Sequence, residues 1–187
     1  MGSFYTNVTL RGPAQEEVLA HLGDRACYVS RTSDGFTVVL DEASEAQDLD
    51  DLLEVTASLS ARFDCPALAA LNHDDGVLYM TLFEHGEQVD QYNSYPGFDD
   101  DDADEAGNEP VGGDTASWVA AFGGDAGALD AALRDSEFVL ATQRHAAVVA
   151  ALGMPDFAVG TGYNYVEADD VGPEGEAAGF VHTSAGD

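Results

Sequence analysis

Residues 72 to 76 read Asn-His-Asp-Asp-Gly, which sets an imidazole beside two carboxylates. Imidazole titrates near neutrality and a carboxylate can orient it, so His73 is the candidate for acid-base work or metal ligation. The same five residues also spell a hairpin turn, with Asp75-Gly76 at its centre. Turn formation is the expectation, and His73 is kept as the one weak catalytic candidate. A second grouping is Tyr92-Asn93-Ser94-Tyr95 with Tyr163-Asn164-Tyr165, amides set between aromatic rings in two distant segments. Aromatic walls with a few amide donors and acceptors suit a small-ligand pocket or a protein contact. The plain expectation is tyrosines packing at strand ends. The candidate ligand-binding residues are therefore Tyr92, Asn93, Tyr95, Tyr163, Asn164 and Tyr165.

A third group is acidic: Asp99, Asp100, Asp101, Asp102 and Asp104, followed by Glu105 and Glu109. A calcium loop of the EF-hand type needs oxygen ligands at positions 1, 3 and 5, Gly at 6 and Glu at 12. Counting from Asp100 puts Glu105 where Gly belongs and Val111 where Glu belongs; counting from Asp102 places Gly107 correctly but fails at Ala106 and Gly113. Neither register fits, so residues 99–113 are expected to be a solvated acidic linker with at most weak cation binding, and no dedicated metal site is assigned. No Gly-x-Ser-x-Gly elbow is present. Gly160-x-Gly162 lacks the third glycine of a dinucleotide fingerprint, and a phosphate loop needs a lysine that the chain does not contain. Cys65 with His73 has nothing but chain proximity to recommend it as a thiol pair. No cofactor is implied.

Charge is the dominant property. The 36 acidic residues face six arginines and no lysine, for a net charge of −30 over 187 residues. Only seven of the 36 lie in 99–109, so the excess belongs to the whole surface. Self-repulsion on that scale opposes a compact state. Molar salt shortens the Debye length to about 3 Å and screens most of it. The composition resembles the proteome style of salt-in halophiles, a likeness that covers the whole chain and implies nothing about activity. Direct nucleic-acid binding is disfavoured, because phosphate contacts need clustered Lys or Arg and weaken with salt. The two cysteines, Cys27 and Cys65, form no Cys-x-x-Cys pair and are expected to be reduced and buried. With no apolar run long enough to span a bilayer and no export signal at the start, a cytoplasmic protein is expected.

The elements that must position these groups follow from periodicity. Residues 4–10 alternate as a strand; Gly12-Pro13 starts a short helix burying Val18, Leu19 and Leu22; strands at 26–31 and 36–41 meet across Ser33-Asp34-Gly35. Ser44-x-x-Gln47 is a capping box opening a helix with Leu49, Leu52, Leu53, Thr56, Leu59 and Phe63 on one face. Ala67 to Leu71 is a continuous apolar strand of the kind found mid-sheet. The order is that of a ferredoxin-like, split βαβ half. Strands at 77–84 and 88–95 extend it, and 77–84 is apolar on both faces, so the second half of the chain must cover one of them. That half is helical: Asp114 caps 115–122, Asp125 caps 126–134 and Ser136 caps 137–152, where His145 faces inward and Arg144 points elsewhere. A final strand or ordered loop lies at 157–168, and 169–187 is aperiodic and expected to be disordered. The fold class is thus α+β, one domain over 1–168 in a sheet half (1–98), the linker and a helical half (114–168). In function the expectation is a non-enzymatic protein-interaction or regulatory module working through a protein partner or self-association; the alternatives are a small-molecule binder or enzyme with an aromatic and amide pocket, and an immunity-type inhibitor of a cognate enzyme.

Overall fold

Strand β1 (Tyr5–Arg11) sets the plan, because both of its faces are buried. Val8 and Leu10 belong to one apolar cluster with Val18, Leu52 and Leu59, while Tyr5 and Asn7 reach side chains and carbonyls of the second half of the chain. A strand buried on two sides must lie mid-sheet. The computed structural model describes residues 2–98, 108–135 and 137–183. After β1 come α1 (Gln15–Leu22), β2 (Cys27–Val29), β3 (Phe36–Asp41), α2 (Leu49–Phe63), β4 (Ala67–His73), β5 (Val77–Glu84), β6 (Glu87–Asn93) and β7 (Val111–Gly112). Then follow α3 (Thr115–Phe122), α4 (Ala126–Arg134), α5 (Ala141–Leu152), α6 (Tyr163–Glu167), α7 (Pro173–Ala177) and β8 (Val181–His182).

All eight strands form one antiparallel sheet in the order β7-β6-β5-β4-β1-β3-β2-β8. The protein is α+β. Helices α1 and α2 cover one face over β1 to β5, burying Val18, Leu22, Leu52, Val55 and Leu59 against Val8, Val39 and Ala69. On the other face Leu78, Met80 and Leu82 of β5 pack with Trp118, Phe122, Leu129, Val148 and Val149. The second half does supply the cover that the two-faced strand requires. The β2-β3 turn has both central residues in the left-handed region, Asp34 at φ 51° and Gly35 at φ 82°, the geometry that matches strand twist in a two-residue hairpin. Among the described residues no helix is long and apolar enough to cross a membrane.

Four expectations are corrected. Ser44 does not open α2: Ser44–Ala46 is a separate 3-10 turn, because the Ser44 hydroxyl donates to Asp41 at 2.7 Å. Asp48 caps α2 instead, accepting from the amides of Asp50 and Asp51. Helix α5 begins at Ala141, not 137, and residues 137–140 are non-helical; Ser136 lies outside the described residues. Residues 157–168, expected as a strand or an ordered loop, take the second form only in part, ending a 3-10 turn and then building α6. The aperiodic segment is ordered as far as Thr183, since Val181 and His182 pair with Val29 and Tyr28 and so close the β2 edge. Their short polar surroundings give no periodicity, but an open edge strand provides ready backbone partners.

Candidate functional site

Chemistry-bearing side chains gather at the end of the sheet where β1 begins, β4 turns into β5, and β6 leaves. The turn is built on Asp74 and Asp75, both left-handed at φ 53° and 54°, closed by the Gly76 amide donating to the His73 carbonyl at 3.0 Å. Asp is among the few residues that accept this conformation readily. The turn also has a second task. Helix α5 has Leu140 at its N-cap, a residue with no side-chain acceptor. Asp75 supplies one from outside the helix: its carbonyl accepts the Ala141 amide at 2.8 Å, and its Oδ1 accepts the Thr142 amide at 3.2 Å. The Thr142 hydroxyl and the Asn72 amide group donate to the same oxygen, and the Ser3 amide donates to Oδ2 at 3.2 Å. Burial pushes the Asp75 carboxyl up, but the bonds from Asn72, Ser3 and Thr142 outweigh it and hold it below its ordinary value.

Beneath the turn lies a buried polar layer between β1, β4 and α5. His145 is 2% exposed, its Nδ1 is 2.8 Å from the Tyr5 hydroxyl, and the two rings stack at 5.7 Å. Burial lowers the His145 pKa to about 4 and raises that of Tyr5, so the imidazole is neutral at physiological pH. Asn72 and Asn7 are fully buried here, and the side-chain oxygens of both have no hydrogen-bond partner in the described protein. Closed to solvent, the Tyr5-His145 pair organises the interior. Next to it, Glu45 takes the place of a missing strand: its Oε2 accepts the Thr6 amide at 3.3 Å and hydroxyl at 3.2 Å, and its Oε1 accepts the Asn164 amide at 3.4 Å. A Cβ at Gly162 would fall 2.3 Å from Oε1, so this approach requires glycine. Among the described residues Glu45 has no cation partner, and burial raises its pKa despite these bonds.

On the outside of this end runs a row of rings. Phe4 meets His73 at 5.0 Å, His73 meets Phe98 at 5.9 Å, and Phe98 meets Tyr95 at 5.9 Å, all edge to face. The Tyr165 hydroxyl accepts the Phe4 amide at 3.3 Å, at the far end of the row. His73 Nδ1 lies 3.2 Å from Gln47 Oε1. Beside the row opens a groove of about 430 Å³, walled by Ser94 and Tyr95 after β6, by Asn108 to Pro110, and by Phe138 to Ala141 entering α5. Arg144 forms its floor. That guanidinium is spent on the end of α4, donating to the carbonyls of Ala132 at 2.8 Å, Leu133 at 3.0 Å and Asp135 at 2.6 Å, and it sits 5.0 Å from the Phe138 ring centre. Side-chain donors at a helix C-terminus satisfy carbonyls that the helix cannot. The lip of the groove is apolar and exposed: Val139 at 84% and Leu140 at 43%.

Of the residues singled out from sequence, His73 and Tyr95 share the aromatic row, and Tyr95 also lines the groove. Tyr92 is buried and donates to the Leu133 carbonyl at 2.8 Å. Asn93 accepts the Tyr95 amide at 2.9 Å. Tyr163 is buried across the sheet, 4.9 Å from Tyr28 in β2, with its hydroxyl 3.0 Å from His182 Nε2. From β6 to β2 are five inter-strand steps, about 24 Å at the usual spacing. Tyr92 and Tyr163 therefore do not line one pocket. Asn164 is exposed, and Tyr165 reaches the row only through Phe4. Asp99, Asp100, Asp101, Asp102 and Asp104 lie outside the described residues. Among the described residues no three His, Cys, Asp or Glu groups gather as a metal site.

Arg144 does not point away, as its helical position suggests; it is 6% exposed. Nothing in the local spacing foretells this, because its partners are backbone carbonyls. Of the groove lip only Phe138 carries a sequence signal, since helical periodicity sets it on the core face with Val148, Val149 and Leu152. Cys27 and Cys65 are both free and buried. Cys27 donates to Asp41 at 3.3 Å, and Asp41 is also clasped by both forks of Arg25 and by Ser44. Burial first, and Asp41 second, push the Cys27 thiol up; burial, then Asp64, pushes Cys65 to about 11. Neither is a thiolate at neutral pH. Cys65 precedes β4 while His73 ends it, about 26 Å of extended chain apart.

Compared with known protein families, with characterised proteins and with solved structures, the chain matches none.

Proposed function

We propose that this protein is a non-catalytic interaction module of a salt-in halophile's cytoplasm, docking a protein partner at the groove beside α5. The observation that carries the proposal is the lip: Val139 is the most exposed large apolar side chain described, at 84%, and it adjoins Leu140, Phe138 and Tyr95 around one cleft. Contiguous exposed apolar surface on a heavily charged protein marks a contact site. His145 and Cys27 are buried and engaged with Tyr5 and Asp41, Cys65 is buried, and His73 sits between the Phe4 and Phe98 rings with its Nδ1 3.2 Å from Gln47 Oε1.

The halophilic assignment draws support from how the cations are used. Two ion pairs occur among the described residues, Arg25 with Asp41 and His85 with Asp64. Arg11, Arg134 and Arg144 instead donate to backbone carbonyls. Most carboxylates are therefore left to salt for screening. The same surface disfavours nucleic acid. The order β4-β1-β3-β2, with α1 and α2 on one face, supports a ferredoxin-like split βαβ core extended by β5 to β8. Fold carries no function of its own.

The test is affinity capture from the host's extract in 2 M KCl, with light scattering of the purified chain. A partner whose recovery is lost in Val139→Ser is expected, and an immunity-type role would appear as one cognate enzyme. A strictly monomeric chain that recovers nothing would end the proposal. A small-molecule role for the same groove is favoured by its volume of about 430 Å³, within the usual range for ligand sites, and would show as a co-purifying metabolite displaced by Tyr95→Ala.

A further inference from the structure

We infer that the groove beside α5 takes a short cationic amphipathic segment of another protein, apolar anchors seated against Val139, Leu140 and Phe138 with Arg or Lys flanking them. This rests on the interaction reading above and names the class of partner. The apolar part follows from the lip: Val139 and Leu140 are 84% and 43% exposed, side by side in the wall of a cleft whose size suits a few side chains of a recognition segment, as in helix-in-groove recognition.

The sign of the flanking charge follows from what surrounds the cleft. Glu109 lines it, and Glu137 and Asp135 are exposed next to Phe138 and at the carbonyl held by Arg144. The single cation in its wall, Arg144, is 6% exposed and bonds three carbonyls. An incoming group thus meets uncompensated carboxylates, and the Tyr95 ring offers a face on which guanidinium can stack. An acidic segment or a nucleic acid meets only repulsion there. A second copy of this chain is a poor occupant, since it brings −30 of charge and no lysine, and four of its six arginines are already bonded to Asp41 or to carbonyls.

The probe is a fluorescein-labelled 14-residue peptide with Leu at helical i, i+3, i+4 and i+7 positions and Arg on its remaining face, followed by anisotropy in 0.5 M and 2 M KCl. Two companions replace Leu with Ser or Arg with Glu. The expected result is saturable binding of the Leu/Arg peptide, weakened about tenfold in the Leu→Ser peptide and in the Val139→Ser protein, the scale of losing one buried anchor. Glu109→Gln with Glu137→Gln should weaken binding about threefold in 0.5 M KCl and less in 2 M, as screening removes the charge contribution. Val139 is exposed, so Val139→Ser retains the fold, checked by emission of the buried Trp118. Equal binding of the Leu→Ser peptide, or no change in Val139→Ser, would overturn the inference in favour of bare acid-base attraction. Equal binding of the Arg→Glu peptide would overturn the charge assignment. If no peptide binds but capture of a host partner still depends on Val139, the inference fails while the interaction reading stands.

Discussion

Replacing Asp75 tests the joint between the sheet and α5. In Asp75→Ala the helix loses its side-chain cap from outside, worth about 1 kcal/mol. The bonds from Ser3 and Asn72, at 3.2 and 3.0 Å, are also lost, at about 1 kcal/mol each. The expected loss is about 3 kcal/mol, or roughly 6–12 °C in Tm for a chain of this size. Ala at φ 54° adds strain of about 1–2 kcal/mol that glycine avoids, so Asp75→Gly should be less damaging than Asp75→Ala. Asp75→Asn, which tolerates the left-handed turn and keeps one acceptor, should cost least. Urea unfolding in 2 M KCl at pH 7, read by emission of Trp118, the sole tryptophan, gives the ordering. The pH dependence has a fixed sign. A carboxyl held below its ordinary 3.8 in the folded state adds stability above that value and loses it as pH falls through its own lower folded pKa. The advantage of wild type over Asp75→Asn should therefore be full above 3.8, shrink as pH falls below it, and be gone once pH lies below the lower folded pKa. A loss below about 0.5 kcal/mol in Asp75→Ala, or unchanged amide exchange at Ala141 and Thr142, would refute the capping role.

Arg144→Met strips three carbonyls at the end of α4 of their donor and should cost about 3–5 kcal/mol in urea unfolding, with Arg144→Lys only a partial rescue because an ammonium cannot span the fork. Glu45, raised by burial, has the opposite sign to Asp75: its ionised form is penalised, so wild type should gain stability relative to Glu45→Gln as pH falls from 7 toward the ordinary 4.5. Paired urea midpoints across that window measure it; parallel curves would contradict it. Raising KCl from 0.1 M to 1 M cuts the Debye length from about 10 Å to about 3 Å and should raise Tm steeply, with micromolar calcium unable to substitute. A fold equally stable in dilute buffer would remove the screening account.

Elements whose signals are local were legible in the sequence. Asp114 and Asp125 cap α3 and α4 as their spacing promises, and the glycine turns place β3 and β5 with the expected bounds. What escaped was long-range. Ser44 looks like a helix cap until Asp41 claims it, and Leu140 gives no cap signal because its acceptor comes from Asp75, far earlier in the chain. The candidate site was half visible: His73 and Tyr95 belong to the aromatic row, but the pairing of Tyr92 with Tyr163 required knowing that β6 and β2 lie on opposite sides of β1. Phe98 and Val139 stood out in no pattern, since exposure is decided by what fails to pack against them.

The pairing of β8 with β2 has a consequence for biosynthesis. Thr183 bonds Cys27 across 156 positions of sequence, so at ordinary translation speeds of 5–20 residues per second the Cys27–Val29 edge waits about 8–30 s for its neighbour. Throughout that interval a nascent chain offers unpaired amides and carbonyls beside finished strands, open to any chaperone or stray strand that reaches them first. A ribosome stalled before residue 181 should therefore hold a protein with most of its sheet formed and one adhesive margin.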